Sequence, residues 1–335
     1  MTPPSPNRPA ALVTAPLGRS GLARLSEVVE VVHEPWIDGT ALRMLDDAAL
    51  AARVDAGGFR VVVVEGDVVG AETLSRPLLA VGAVRGDPTN VDLAAATAAG
   101  VPVLHTPGRN ADAVAEHTLG LLLAVLRHTV DADHEVRAGE VWRDGTIPYQ
   151  RHRGGELAGR TAAVLGLGAV GQAVAWRLQA LGVTVRAYDP LRPDASHDLA
   201  ATLAGADICT IHAARGAVAG HLVGAAELAM LARGAVVCNT ARGALLDTEA
   251  LVDALRAGHL AGAGIDHVEG EAPPPDHPLL SLPGVVVTPH IGGATVETEG
   301  RGAAMVADDL GRLLSGRSPQ HCANPAVLDA TEVRA

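Results

Sequence analysis

Thr161-Ala-Ala-Val-Leu-Gly166-Leu-Gly168-Ala-Val-Gly171-Gln-Ala-Val-Ala-Trp-Arg-Leu178 decides the fold of this chain. The first five residues form an apolar run of strand length, and Val170–Leu181 has the composition of a helix. Between them stands Gly-x-Gly-x-x-Gly. Gly166 permits a tight turn, Gly168 lets backbone approach a pyrophosphate, and Gly171 lets helix and strand pack closely. A diphosphate would sit on the N–H groups of Ala169 and Val170, at the positive end of the helix. Asp189 ends the next strand, Val183–Tyr188, about 20 residues past the glycines, where a ribose-binding acid belongs. A carboxylate there accepts from ribose hydroxyls and repels a 2′-phosphate. The pair predicts NAD over NADP, with Arg186 and Arg192 the nearby charges that would favour the phosphate.

Outward from this unit the alternation continues. Asp207–His212, Ala235–Asn239, Gly262–Asp266 and Val285–Thr288 read as further strands, with helices at Ala225–Leu231 and Asp247–Ala257. Toward the N-terminus, Ala11–Ala15, Val28–His33, Val61–Glu65, Leu79–Val84 and Val101–His105 form an earlier series, with helices expected at Thr40–Ala56 and Asn90–Ala99. Near-continuous apolar runs are expected of parallel strands buried on both faces. The fold class is therefore α/β, with two doubly wound parallel-sheet domains. Asn110–Val130, between the series, reads as one helix buried on several sides. The first series lacks a closing helix, and Thr295–Leu314 is expected to return and supply it. The expected boundaries are a discontinuous substrate domain of 10–107 plus 298–326, a cofactor domain of 108–297, and flexible tails at 1–9 and 327–335.

Composition narrows the chemistry. The chain has 335 residues, 38 acidic and 26 basic, and every basic residue is Arg. Without Lys there can be no Schiff base, no P-loop lysine and no kinase strand lysine. The acidic balance and the six aromatic residues argue against a nucleic-acid reader. Cys209, Cys238 and Cys322 have no metal or disulfide spacing, which suits a reduced cytoplasmic setting. Met1–Pro9 has no apolar core of a signal peptide, and no run is long enough to span a membrane.

A second constellation lies past three strand ends: Arg242 in Asn239-Thr-Ala-Arg-Gly243, Glu271 in Asp266-His-Val-Glu-Gly-Glu271, and His290 in Thr288-Pro-His-Ile-Gly-Gly293. Open α/β sheets bind ligands at that edge. A guanidinium can grip a 2-oxo acid, a His can move the proton that hydride transfer to a ketone requires, and a carboxylate can orient the ring.

These residues carry a resemblance. With Val101–Arg127, Glu156–Pro190, Ala261–Glu271 and Thr288–Thr295, the chain resembles the D-isomer-specific 2-hydroxyacid dehydrogenases, including phosphoglycerate dehydrogenases and glyoxylate/hydroxypyruvate reductases, over about residues 10–326. The resemblance implies a Rossmann NAD-binding domain, a flavodoxin-like substrate domain built from both chain ends, and a homodimer. It implies Arg242 as substrate cation, Glu271 as the His partner and His290 as acid/base. Asp266 is implied near the nicotinamide carboxamide, with His212, Thr240, Ala241, Gly292 and Gly293 also lining the cofactor. The loop Arg85-Gly86-Asp87 is implied to take the substrate carboxylate. Arg85 within that loop, with Arg109, Arg242 and either Arg151 or Arg153, suggests a second anion site. A dianionic phospho-, phosphono- or dicarboxylate substrate is therefore expected. No feedback domain is expected after residue 326. The alternatives are 3-phosphoglycerate dehydrogenase proper, a phosphite- or formate-type dehydrogenase, or an NAD-binding corepressor.

Some residues depart from the family pattern. Glu271-Ala272 replaces the usual Glu-Pro, and His212-Ala-Ala-Arg215-Gly216 replaces His-x-Pro-Leu-Thr, with Arg215 expected at the surface. Tyr149–Arg153 is expected to be a solvated basic loop. His267, Glu269, Glu271 and His277 fit no common zinc spacing, so no metal is expected. Cys238 is expected in a buried strand rather than as a nucleophile. Glu116 and His117 are expected to be packing or dimer contacts.

Overall fold

A computed structural model describes residues 8–37, 42–214, 220–270 and 273–331. The chain divides into two compact units, Met1–Arg109 with Ala294–Ala335, and Asn110–Gly293. The limits fall at Arg109/Asn110 and Gly293/Ala294, since the whole Val296–Leu314 helix, N-capped by Thr295, belongs to the first unit.

In the first unit, β1 (Ala10–Val13), β2 (Glu30–His33), β3 (Val61–Val64), β4 (Ala80–Ala83) and β5 (Val103–Leu104) form one parallel sheet in the order β2-β1-β3-β4-β5. This is the flavodoxin-like order, with its switch point between β1 and β3. β3 is four valines, all buried, because helices cover both faces. On one face, Ala303, Val306, Ala307 and Leu310 of the Val296–Leu314 helix pack against Val13, Val61 and Leu25. The returning C-terminal segment thus closes this unit.

Two expectations are corrected here. The helix expected over Thr40–Ala56 spans Asp47–Gly57, because the Asp46 side chain accepts from the Ala49 N–H and starts it there. Residues 42–46 are not helical, and 40 and 41 lie outside the described residues. The flexible tail expected at 327–335 is replaced, as far as residue 331, by the helix Ala326–Thr331, whose Val327 is buried. Asn324 ties it down, accepting from the Val103 N–H at 2.8 Å and donating to the Val101 carbonyl at 3.0 Å. Residues 1–7 and 332–335 lie outside the described residues.

In the second unit, β6 (Thr161–Leu165), β7 (Thr184–Tyr188), β8 (Ile208–Ile211), β9 (Ala235–Asn239), β10 (Leu260–Ile265) and β11 (Val285–Val287) form a parallel sheet in the order β7-β6-β8-β9-β10-β11. A parallel bridge from Tyr188 to Ser196 supplies a rudimentary strand outside β7. Counting it, the first six positions run 3-2-1-4-5-6, the Rossmann order. The helix expected over Asn110–Val130 ends at Leu126. His128 turns into the left-handed region at φ +52°, and a second helix resumes at Thr129–Ala138. In the first of these, Leu121, Leu122 and Val125 pack against Val164, Val236 and Cys238 of the sheet.

Candidate active site

At the switch point between β6 and β8, the chain leaves β6 through Gly166 at φ +92°, a conformation that favours Gly. A Cβ there would lie 2.5 Å from the Ala213 nitrogen, and a Cβ on Gly171 would strike the Gly166 carbonyl. Gly168 caps the Ala169–Ala180 helix and has open space where its side chain would be. Among the described residues no side chain caps that helix, so the first N–H groups remain available to an anion.

The Asp189 carboxylate accepts from the Leu167 N–H at 2.8 Å and the Leu191 N–H at 2.9 Å, which fixes it beside the glycine turn. The two arginines near it are engaged elsewhere: Arg192 with Asp194, and Arg186 with the Ala204 carbonyl. His212, past β8, is buried. Its Nε2 lies 2.8 Å from the Thr210 hydroxyl, while Nδ1 is buried with no hydrogen-bond partner among the described residues. Burial pushes this imidazole down to about 3, so it stays neutral.

The loop after β9 carries Arg242. Asn239 shapes it, accepting from the Ala241 N–H and donating to the Arg242 carbonyl. Thr240 is buried, its hydroxyl 2.8 Å from that of Thr118. Arg242 itself is exposed. Gly243 touches the backbone at Val268 and Glu269, which brings this loop against the loop after β10.

Asp266, past β10, organises the loop that carries His290. Its Oδ1 accepts from the Thr288 hydroxyl at 2.6 Å and the Ile291 N–H at 2.9 Å, and its Oδ2 accepts from the Gly292 N–H at 2.8 Å. His117 Nε2 lies 3.3 Å from Oδ1 and 3.0 Å from the Thr288 hydroxyl. Burial alone would raise the pKa of this carboxyl. The bonds from His117, Thr288, Ile291 and Gly292 outweigh that and hold it below the usual carboxylate range. Gly292 is required by closeness, since a Cβ there would lie 2.9 Å from Oδ2. Gly293 sits against Asn110. His290, at φ +56°, is one of three described non-glycine residues with positive φ, and its N–H donates to the Asp266 carbonyl at 3.0 Å. Such backbone persists only where surrounding bonds impose it.

In the first unit, past β4, Gly86 and Asp87 are exposed and Arg85 is half-buried. Arg85 donates weakly to the Glu65 carbonyl at 3.3 Å, and His105 Nδ1 lies 2.9 Å from the Gly86 carbonyl. Arg109 is ion-paired with Glu65, and its carbonyl accepts from Arg301. Its charge is already matched.

A match to the D-isomer specific 2-hydroxyacid dehydrogenase NAD binding domain covers residues 119–292. The chain belongs to that family. It is 41% identical to a glyoxylate reductase of Thermofilum pendens over 248 residues, 71% of this chain and 73% of that one. It is 37% identical to a D-3-phosphoglycerate dehydrogenase of Mycobacterium leprae over 92% of this chain but 57% of that longer one. The structure of an NADPH-dependent glyoxylate/hydroxypyruvate reductase from Sinorhizobium meliloti superposes with a TM-score of 0.77 at 29% identity, covering 96% and 99% of the two chains. The protein is therefore an NAD-dependent oxidoreductase of the 2-hydroxyacid class. The glycine cradle, the open helix N-terminus and the unsatisfied His212 nitrogen fit that cofactor.

Several expectations are refined. Glu271 and Arg215 lie outside the described residues. Arg151 is not a free anion site: Glu135 takes its guanidinium at 2.8 Å, and it also donates to the Val141 carbonyl at 2.7 Å. Arg153 is exposed. Cys238 is fully buried, and burial raises its thiol pKa. Among the described residues no group of His, Cys, Asp and Glu could hold a metal, and no helix is long and apolar enough to cross a membrane. His117 is more than packing, since it braces the His290 loop. Its i, i+3/i+4 position on the helix gave no sign of a contact 171 residues away.

Proposed function

We propose that this enzyme interconverts a small 2-oxo acid and its D-2-hydroxy acid, with His290 as acid/base and Arg242 as the substrate cation. One observation carries the reading. A single sheet edge presents the glycine cradle, an exposed Arg242, and a His290 whose backbone is fixed by Asp266. When bound, the nicotinamide cofactor would supply the hydride that the carbonyl carbon accepts. His290 gives a proton to the carbonyl oxygen as charge develops there, and takes it back in the reverse direction. The Arg242 fork pairs with the carboxylate and polarises the carbonyl. Glu271 is assigned as the partner of His290. Asp189 favours NAD over NADP, supported by the engagement of both neighbouring arginines.

The loop Arg85-Gly86-Asp87 is assigned to the substrate anion. Among the described residues the Arg85 side chain bonds to a carbonyl and to no carboxylate, whereas Arg109 and Arg151 are ion-paired with Glu65 and Glu135. That difference supports a substrate with a second negative group, a phosphorylated, phosphonate or dicarboxylate 2-oxo acid, with Arg85 as its ligand. A panel of 2-oxo acids assayed by loss of NADH absorbance tests this. The dianionic members should give the highest kcat/KM, and R85A should lose that advantage selectively. Higher kcat/KM for glyoxylate and pyruvate than for every dianion would refute it.

A homodimer forms part of the proposal. Trp142, Tyr149 and Val136 of the second unit are 76%, 72% and 64% exposed in a chain with six aromatic residues. Light scattering after gel filtration should give twice the 34.0 kDa chain mass. A cytoplasmic location accords with three free cysteines.

A further inference from the structure

His267 follows Asp266 at the carboxyl end of β10 and is only 4% exposed. Its ring centroid lies 3.4 Å from that of His290, with the planes inclined by 53°. His290 is exposed and projects from a left-handed backbone position. The Asp266 carboxylate fixes the backbone of its loop through Thr288, Ile291 and Gly292. Beside those backbone bonds, the buried His267 ring lies against the imidazole of His290 itself. An exposed imidazole samples several rotamers, and a buried ring against it removes most of them.

Asp266, with His117 bonded to it, lies next in sequence to His267 and adds a negative charge nearby. The position presents a flat aromatic face to His290.

We propose that His267 is a positioning residue for the reaction. Its ring packs on the His290 imidazole and holds the rotamer that delivers the proton. This rests on the acid/base reading of His290, and the test separates the two. H267A, H267F, H290A and the H267A/H290A double variant are prepared in the full chain. Kd for NADH and Tm are measured for each, followed by kcat and KM with the best 2-oxo acid of the panel. H267A should lose about tenfold in kcat, with KM and the NADH Kd within about twofold. H267F, which restores a flat face, should recover to within about threefold. In the H290A background, H267A should change kcat by less than about twofold, because its effect passes through the missing ring.

The proposal is overturned by wild-type kcat in H267A, by H267F no better than H267A, or by an equal loss with and without His290. Should H267A not fold, H267M fills the volume without a flat face and should show the same loss of kcat; wild-type kcat in H267M overturns the proposal. Wild-type kcat in H290A would instead refute the acid/base reading.

Discussion

Replacing Asp266 by Asn keeps the size of the side chain and removes its charge. An Asn can keep a carbonyl oxygen at the Oδ1 position, where Thr288 and Ile291 donate. Its amide nitrogen then occupies the Oδ2 position and faces the Gly292 N–H, donor against donor. Gly292 is buried, so water cannot readily replace the lost acceptor. Losing a hydrogen bond to a charged acceptor at such a site costs about 2–3 kcal/mol. If that cost falls wholly on the 288–292 turn, the population holding His290 in place drops about 30- to 150-fold. The predicted result is a fall of that size in kcat, measured by NADH consumption at saturating substrate.

The pH dependence follows from sign. The folded pKa of Asp266 lies below the ordinary carboxylate value, so its stabilisation is present above that value and is lost as pH falls. Wild type and D266N should therefore converge toward acid pH. Wild-type kcat in D266N at pH 7 would refute the claim that this carboxylate organises the turn.

Two further outcomes follow. Asp189→Ser removes the carboxylate that accepts from Leu167 and would repel a 2′-phosphate. The ratio of kcat/KM for NADH over NADPH should fall at least about tenfold, and an unchanged ratio would dismiss Asp189 as the selector. Glu135→Gln bears on stability alone. The pKa of Glu135 is lowered to about 2 by hydrogen bonds from Arg151 and His152, so its contribution is present above its unfolded value of 4.5 and lost between there and about 2. The Tm of the wild type should fall toward that of E135Q across this interval, and parallel curves would contradict the assignment.

The parts legible in the sequence were those whose signal is local. Apolar runs such as Val61–Val64 and the Gly166–Gly171 turn announce themselves because strand period, helix start and glycine chemistry act over a few residues. The break at His128 was not legible, since a left-handed histidine carries no Gly or Pro marker. The rudimentary strand at Ser196 was too short to show a pattern. Arg242, Asp266 and His290 were placed at strand ends, yet how they are held was invisible. His117 reaches Thr288 across 171 residues, and His267 meets His290 only once β10 and β11 lie side by side. Arg151 and Arg109 drew attention as charges, and only the fold revealed Glu135 and Glu65 as their partners.

The proposed reaction transfers hydride directly to the carbonyl carbon of a 2-oxo acid and gives the D product. Incubation with NADH deuterated at the transferred position, followed by mass spectrometry and chiral separation of the product, tests it. One deuterium is expected at C2 of a D-2-hydroxy acid. Product without deuterium at C2, or of L configuration, would contradict it.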